Sequence, residues 1–298
     1  MKPRFVAVGE CMVELAPAGA GLFAMGFAGD TFNTAWYARR ALPLEWSVDY
    51  VTALGTDALS DRMTAFMADA GIGTGHVQRL PGRVPGLYLI ELTESERSFS
   101  YWRGQSAARD LARDAGVLEA ALAGAGVVYF SGITLAILPP GGRVQFLAAL
   151  AVARRGGARV VFDPNLRPRL WPDEDTMCAA VMQAAGLADS VLPSHDDEAV
   201  HFGDANPEAT ARRYAAAGAG LVVVKNGPGN MLTWERGVVA WHAPEAVTRV
   251  VDTTAAGDSF NAGFLAAHLT GAETADAVRR GARLGARVIA ARGALVPG

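Results

Sequence analysis

Lysine is nearly missing from this chain. Only Lys2 and Lys225 occur among 298 residues, so almost all positive charge is arginine and Lys225 is the one internal lysine. The arginines form no long basic run: Arg39-Arg40, Arg154-Arg155 and Arg279-Arg280 are only pairs, and the formal net charge is −3. Nucleic-acid binding therefore has no electrostatic footprint. Cysteine is as scarce, and Cys11 and Cys178 are too far apart in sequence to suggest a disulfide scaffold or a zinc site. That fits a reducing compartment. The N-terminal apolar run Phe5–Val8 stops at Glu10, too short for a secretory signal. The two readings together imply a cytoplasmic protein. One stretch, Ala120 to Gly142, lacks charge altogether and has the length of a membrane span. Five glycines, Ser131, Thr134 and Pro139-Pro140 interrupt it, so it reads as a helix end, a buried strand over 127–130 and a loop. Two phosphate motifs are also missing. Neither lysine follows a glycine, which rules out Gly-x4-Gly-Lys-[Ser/Thr], and no complete Gly-x-Gly-x-x-Gly exists. A dinucleotide site would rest on fold class alone.

What is present is a large core. Hydrophobic residues make up 51% of the chain, which argues against disorder. Short apolar runs at Phe5–Val8, Val127–Phe130, Val160–Phe162 and Leu221–Val224 read as buried parallel strands. Alanine-rich amphipathic stretches at Arg143–Arg155, Asp175–Ala185 and Pro207–Ala217 alternate with them, and 258–270 and 274–292 read as two final helices. This pattern predicts an α/β fold with a doubly wound, mostly parallel sheet flanked by helices. Residues 10–28 and 86–103 alternate with period two instead, the second as a hairpin turning near Thr93–Glu96. They predict a small β-sheet built from two insertions. The expected division is 1–9, 37–84 and 105–298 for the main domain, with 10–36 and 85–104 for a β lid.

The most informative segment is Asp252-Thr-Thr-Ala-Ala-Gly-Asp258-Ser-Phe-Asn-Ala-Gly263, which follows the strand-like run Arg249–Val251 and opens a helix. Small residues before a helix let backbone N–H groups converge on an anion, which the helix dipole also favours. An Asp at that junction is ordinarily a helix cap. It can also take a proton from an attacking hydroxyl while the amides hold developing charge. Four other segments stand out. Ala28-Gly29-Asp30-Thr-Phe-Asn33 opens a helix, with Thr31 or Asp30 as its cap, and Asp163-Pro-Asn165-Leu-Arg167 follows a buried strand. Ser194-His-Asp-Asp197-Glu198 follows Leu192-Pro193, and Lys225-Asn-Gly227-Pro-Gly229 follows the strand 221–224. Residues at strand C-termini face the ligand crevice in open α/β sheets.

Over nearly the full length these segments resemble the ribokinase-like (PfkB) carbohydrate kinases, whose signature core reads Asp-Thr-x-Gly-Ala-Gly-Asp. The resemblance implies Asp258 as general base and the Ala255, Ala256 and Gly257 amides as an anion hole. Ala255 departs from the usual Gly, so the turn must accept a Cβ. It further implies sugar contacts from Gly29, Asp30 and Asn33. Nucleotide contacts are implied for Asn165, Ser194, Lys225, Gly227 and Gly229, and metal management for Asp197 or Glu198, with Ser194 standing where the family has Asn. ATP and Mg²⁺ are the implied cofactors. The string Tyr101-Trp102-Arg103-Gly-Gln-Ser-Ala-Ala is similar to that of the family's 2-keto-3-deoxygluconate-phosphorylating branch. A linear acid needs a cation, and arginine offers a two-pronged one. Arg103 and Arg167 are the candidates, with Tyr88 and Tyr101 packing on the carbon chain. By analogy the lid also joins copies of the chain into a homo-oligomer. The alternatives are a kinase for fructose, a nucleoside or 5-keto-2-deoxygluconate, or a non-catalytic sugar-binding relative.

Overall fold

Strands that must be apolar on both faces need cover on both faces, and the chain supplies it. The computed structural model describes residues 2–93 and 96–297. In chain order its first part contains β1 (Arg4–Val8), β2 (Met12–Gly19), β3 (Leu22–Ala28), α1 (Asp30–Ala41), β4 (Ser47–Leu54), α2 (Ala58–Asp69) and β5 (Val77–Arg79). Next come β6 (Leu87–Thr93), β7 (Glu96–Trp102), α3 (Ala115–Leu122), β8 (Val127–Ser131), α4 (Gly132–Ile137), α5 (Pro140–Arg155) and β9 (Arg159–Asp163). The remainder holds α6 (Glu174–Ala185), β10 (Ser190–Val191), α7 (His195–Phe202), α8 (Pro207–Ala216), β11 (Leu221–Val224), β12 (Met231–Glu235), β13 (Val238–His242), α9 (Ala256–Leu269) and α10 (Thr274–Ile289).

Nine strands form the main sheet in the order β13-β12-β11-β10-β9-β8-β1-β4-β5, parallel from β11 to β5 with β12 and β13 antiparallel at one edge. Alternate residues serve opposite layers. Val6, Val8, Val128 and Phe130 pack with residues of α3, α5 and α6, whereas Phe5, Ala7, Val127 and Tyr129 pack with residues of α1, α9 and α10. The doubly wound sheet expected from the alternation is the observed one. The chain lays β4 and β5 on one side of β1 and then returns to place β8 on the other. That reversal opens a crevice beyond the C-terminal ends of β1 and β8.

A second sheet, β3-β2-β6-β7, stands over this crevice. It draws on the two insertions, and the tip of its β6–β7 hairpin lies outside the described residues. The boundary expected at residue 36 falls inside α1, which packs on β1, β4 and α9 rather than on the small sheet.

Three local readings are corrected. Arg249–Val251 is not a strand: Val250 and Val251 are exposed, and the amides of Val251 and Asp252 bond to the Ile289 carbonyl at the end of α10. The loop expected after residue 130 contains α4, started by a reciprocal Ser131–Thr134 capping box, and Pro140 sits in the first turn of α5. The last helix stops at Ile289, not at 292.

Away from the crevice, Glu198 is fully buried, and its carboxylate accepts from Arg213 at 2.6 Å and from the Tyr214 hydroxyl at 2.9 Å. Arg213 also reaches Asp204 at 2.6 Å, tying α7 to α8. Breaking such a pair from one side strands a charge in the core. Arg213→Ala should therefore cost about 3–5 kcal/mol of unfolding free energy, read by urea titration.

Candidate active site

A cavity of about 1080 Å³ lies between the C-terminal ends of the main strands and the small sheet. Its wall takes in Gly29, Asp30, Asn33, Tyr88, Tyr101 and Arg103 towards the small sheet. Asn165, Arg167, Ser194, Asp197, Lys225 and the loop 253–258 line the remainder. Segments spread over more than two hundred residues thus meet in one cleft. A second cavity of about 720 Å³, around Arg154, Arg159 and His268 at the opposite strand ends, holds none of the expected site residues.

Asp258 occupies the first turn of α9 but does not cap it, since no side chain caps this helix. Its carboxylate instead accepts from the Asn33 amide at 2.8 Å. Burial, and next the negative charge of Asp30, raise its pKa to about 7; the Asn33 hydrogen bond and Lys225 act in the opposite direction. A carboxylate tuned in this way accepts a proton more readily than an ordinary Asp near neutral pH. Ala255, just before the helix, adopts φ 59°, in the left-handed region. Ala is tolerated there at a cost of about 1–2 kcal/mol, which a Gly would not incur. The Ala256 amide is spent on the Thr253 carbonyl at 3.2 Å. Among the described residues, the amides of Ala255 and Gly257 are those of the expected trio left for an anion.

Beneath this turn lies a buried polar network. The Lys225 ammonium, almost shielded from water, meets Asp163 Oδ2 and Asn261 Oδ1, each at 3.2 Å. Asn261 also donates to Asp163 at 2.6 Å and to the Tyr129 hydroxyl at 3.1 Å. The Thr34 hydroxyl bonds to Tyr129 at 3.2 Å and to the Asp258 carbonyl at 3.3 Å. A Cβ on Gly257 would lie 3.6 Å from Lys225 Nζ, so the ammonium sits close against the turn that opens α9.

Towards the small sheet, Gly29 has extended backbone, so its glycine is demanded by space: a Cβ there would lie 2.1 Å from the Glu10 carbonyl oxygen. Gly29, not Thr31 or Asp30, precedes the first residue of α1, and its amide donates to Asn33 Oδ1 at 3.3 Å. The Asp30 carboxylate is free of capping duty and accepts from Asn165 Nδ2 at 2.8 Å. Tyr88 donates its hydroxyl to Glu14, and its ring lies 5.9 Å from that of Tyr101. Burial, then the Glu14 charge, hold the Tyr88 phenol in its protonated form by raising its pKa. Arg103 is mostly buried and ion-paired with Glu10. Arg167 is half exposed and faces Asp197 at 3.6 Å.

Some expected residues stand elsewhere. Glu198 is committed to Arg213 and Tyr214 and does not line the cleft, so of the two acids only Asp197 faces it. Burial raises the Asp197 pKa, with Arg167 acting against it. Gly227 and Gly229 form the turn after β11, beside the cleft rather than on its wall; Gly227 has φ 48°. Sequence reasoning passed over Glu10, Asp163 and Asn261. Glu10 and Asp163 carried one legible signal, since each lies at or just past the C-terminal end of a buried strand, where ligand-facing groups gather.

A family model described as pfkB family carbohydrate kinase matches residues 2–297, and the chain belongs to that family. It is 40% identical, over 97% of its own length and 96% of the relative's, to the 2-dehydro-3-deoxygluconokinase of Dickeya dadantii (strain 3937). It is also 40% identical to the 2-dehydro-3-deoxygluconokinase of Escherichia coli (strain K12), over 100% of this chain and 98% of that one. Among solved structures, the PfkB protein from Polaromonas sp. JS666 superposes with a TM-score of 0.85 at 30% identity, covering 96% of both chains.

The raised pKa of Asp258 sets a pH dependence. Read as the base, Asp258 must be ionised to act, so kcat/KM should climb through about pH 7 and level off above it. In Asn33→Ala the carboxylate loses a stabilising hydrogen bond. The acid limb should then move up by about one pH unit, read from a pH–rate profile; an unmoved or lowered limb contradicts the assignment.

Proposed function

We propose that this protein is an ATP-dependent kinase that phosphorylates the terminal hydroxyl of 2-keto-3-deoxygluconate (2-dehydro-3-deoxygluconate), giving the 6-phosphate. The observation that carries this reading is one cleft with a buried carboxylate at a helix start at its centre and a nearly buried guanidinium on the small-sheet side. Neutral sugars have no use for that cation, whereas a sugar carboxylate does. Full-length similarity to two kinases named for this substrate supports the same choice.

In the proposed reaction Asp258 takes the proton from the sugar's terminal hydroxyl. The hydroxyl oxygen then bonds to the γ-phosphorus of ATP in line with the breaking bond to the β–γ bridging oxygen, and ADP departs. Amides of Ala255 and Gly257 face the developing charge, with the Lys225 ammonium behind them. Positioning and electrostatics dominate such transfers. Gly29, Asp30 and Asn33 hold the sugar hydroxyls, Tyr88 and Tyr101 flank the carbon chain, and Arg103 takes the carboxylate. Arg167 guards the phosphoryl end. Ser194, Asn165 and the 225–229 loop border the nucleotide.

Magnesium fits this site as a companion of the nucleotide. Among the described residues no group of three or more acids, histidines or cysteines forms a cage, and Mg²⁺ bound to phosphates needs only one or two carboxylates. Asp197 is the acid available to it, and the ion would neutralise phosphate charge. Among the described residues no helix is long and apolar enough to cross a membrane. A cytoplasmic location and a homo-oligomer joined through the small sheet belong to the same reading. Exposed Leu22, Phe23 and Trp102 on that sheet support the second.

The test is ATP consumption against 2-keto-3-deoxygluconate, its galactonate epimer, fructose, ribose and adenosine. Turnover should be confined to the keto-deoxy acids; turnover only on a neutral sugar or nucleoside discards the substrate. Asp258→Asn should lose about 10²–10⁴-fold in kcat with its circular dichroism unchanged. Wild-type-like turnover in that variant would sink the base assignment.

A further inference from the structure

Glu10 is a carboxylate only 2% exposed, two residues beyond the end of β1 and on the wall of the cleft. A buried acid needs partners, and Glu10 finds them on the far side of the small sheet's exit: it accepts from Arg103 Nη2 and from the Ser106 hydroxyl. The surroundings are built for this meeting. A Cβ on Gly86 would stand 2.7 Å from Glu10 Oε1 and 3.2 Å from Arg103 Cβ, so only glycine there lets the two side chains meet. The Glu10 carbonyl meanwhile presses on Gly29, where a Cβ would be 2.1 Å away. One residue thus abuts the sugar-binding glycine with its backbone and holds the guanidinium with its side chain.

The guanidinium's remaining donors point to the consequence. Arg103 Nη2 is spent on Glu10, and among the described residues Nε is buried without a hydrogen-bond partner. Nη1 is the nitrogen left for the cavity that Arg103 lines. We propose that Glu10 is a positioning residue for acid recognition: it fixes Arg103 so that its free edge meets the substrate carboxylate. This rests on the reading of Arg103 as the carboxylate's partner. The pair is close to neutral as a unit, so Glu10 adds orientation rather than field. Misplacement of a binding group by about 1 Å costs as much as about 10²-fold in rate. Without Glu10 the guanidinium would be desolvated and unpaired, and it would turn towards water. The opposite possibility is that Glu10 competes with the substrate for Arg103, in which case removing its charge would tighten binding.

The experiment compares Glu10→Gln, Arg103→Ala and the double variant. Its readouts are kcat, the KM for 2-keto-3-deoxygluconate, the KM for ATP, and kcat/KM for 3-deoxyfructose, in which an alcohol replaces the carboxylate. Expected for Glu10→Gln is a KM for the acid raised about tenfold, with the KM for ATP and the use of 3-deoxyfructose unchanged. The double variant should be no worse than Arg103→Ala, because both act through one contact. A merely structural role for Glu10 would lower performance on both sugars alike and would overturn the proposal. So would an unchanged or lowered KM for the acid in Glu10→Gln while Arg103→Ala raises it. An unchanged KM in Arg103→Ala itself overturns the carboxylate reading beneath. Should Glu10→Gln fail to fold, Ser106→Ala loosens the same clamp without removing charge, and about a threefold rise in the acid's KM is expected; no rise counts against the clamp.

Discussion

An ammonium buried under a helix start must have a counter-charge and acceptors, or the site collapses around it. Lys225 has both in Asp163 and Asn261, and the rest of the cleft is arranged about that contact. Lys225 comes from the end of β11, Asp163 from the end of β9 and Asn261 from the second turn of α9. Satisfying one charge therefore pins α9 against the ends of two strands. Tyr129 and Thr34 extend the network to β8 and α1, and Thr34 returns to the Asp258 carbonyl. The depth and tilt of the turn that opens α9 follow from this buried polar network. Such networks are rigid when every member is satisfied.

The same economy governs the junction of the two sheets. The small sheet leaves the main body at residues 10–12 and again at 86 and 103, and these exits converge on Glu10, Gly86 and Arg103. The ion pair there links the small sheet to the main body on the wall of the cleft. The Tyr88 and Tyr101 rings meet at a tilt on the same wall, so the cation, the two aromatics and Gly29 share one small region. The cleft wall and the attachment of the small sheet are thus carried by overlapping residues.

Much of this was legible before any coordinates. Apolar runs such as Val127–Phe130 and Leu221–Val224 read as strands covered on both sides, and they are. The period-two stretches at 10–28 and 86–103 hold the strands of the small sheet because alternation suits a sheet wetted on one face. Misreadings arose where local pattern and tertiary demand part. Val250 and Val251 look like strand residues, yet the segment 249–251 is held by the carbonyl at the end of α10 and stays outside the sheet. Glu198 looks like a cleft acid from its neighbours, yet α7 turns it towards Arg213. Along a helix, Asp197 and Glu198 point about 100° apart, and no string of letters says which one faces the ligand.

Residue types and their order alone were enough for the class of fold, the small inserted sheet and the placing of Asp258 at a helix start. Each rests on local physics: hydrophobic period, turn propensity and the dipole of a helix. Folding settled the rest. It made Glu10 the partner of Arg103, Asn33 the partner of Asp258, and Asp163 the partner of Lys225, pairs separated by 93, 225 and 62 residues. Such partnerships depend on which strand ends lie side by side and on how little water reaches them. Burial and proximity, the two quantities that raise a carboxylate's pKa or orient a guanidinium, exist only once the chain has closed on itself.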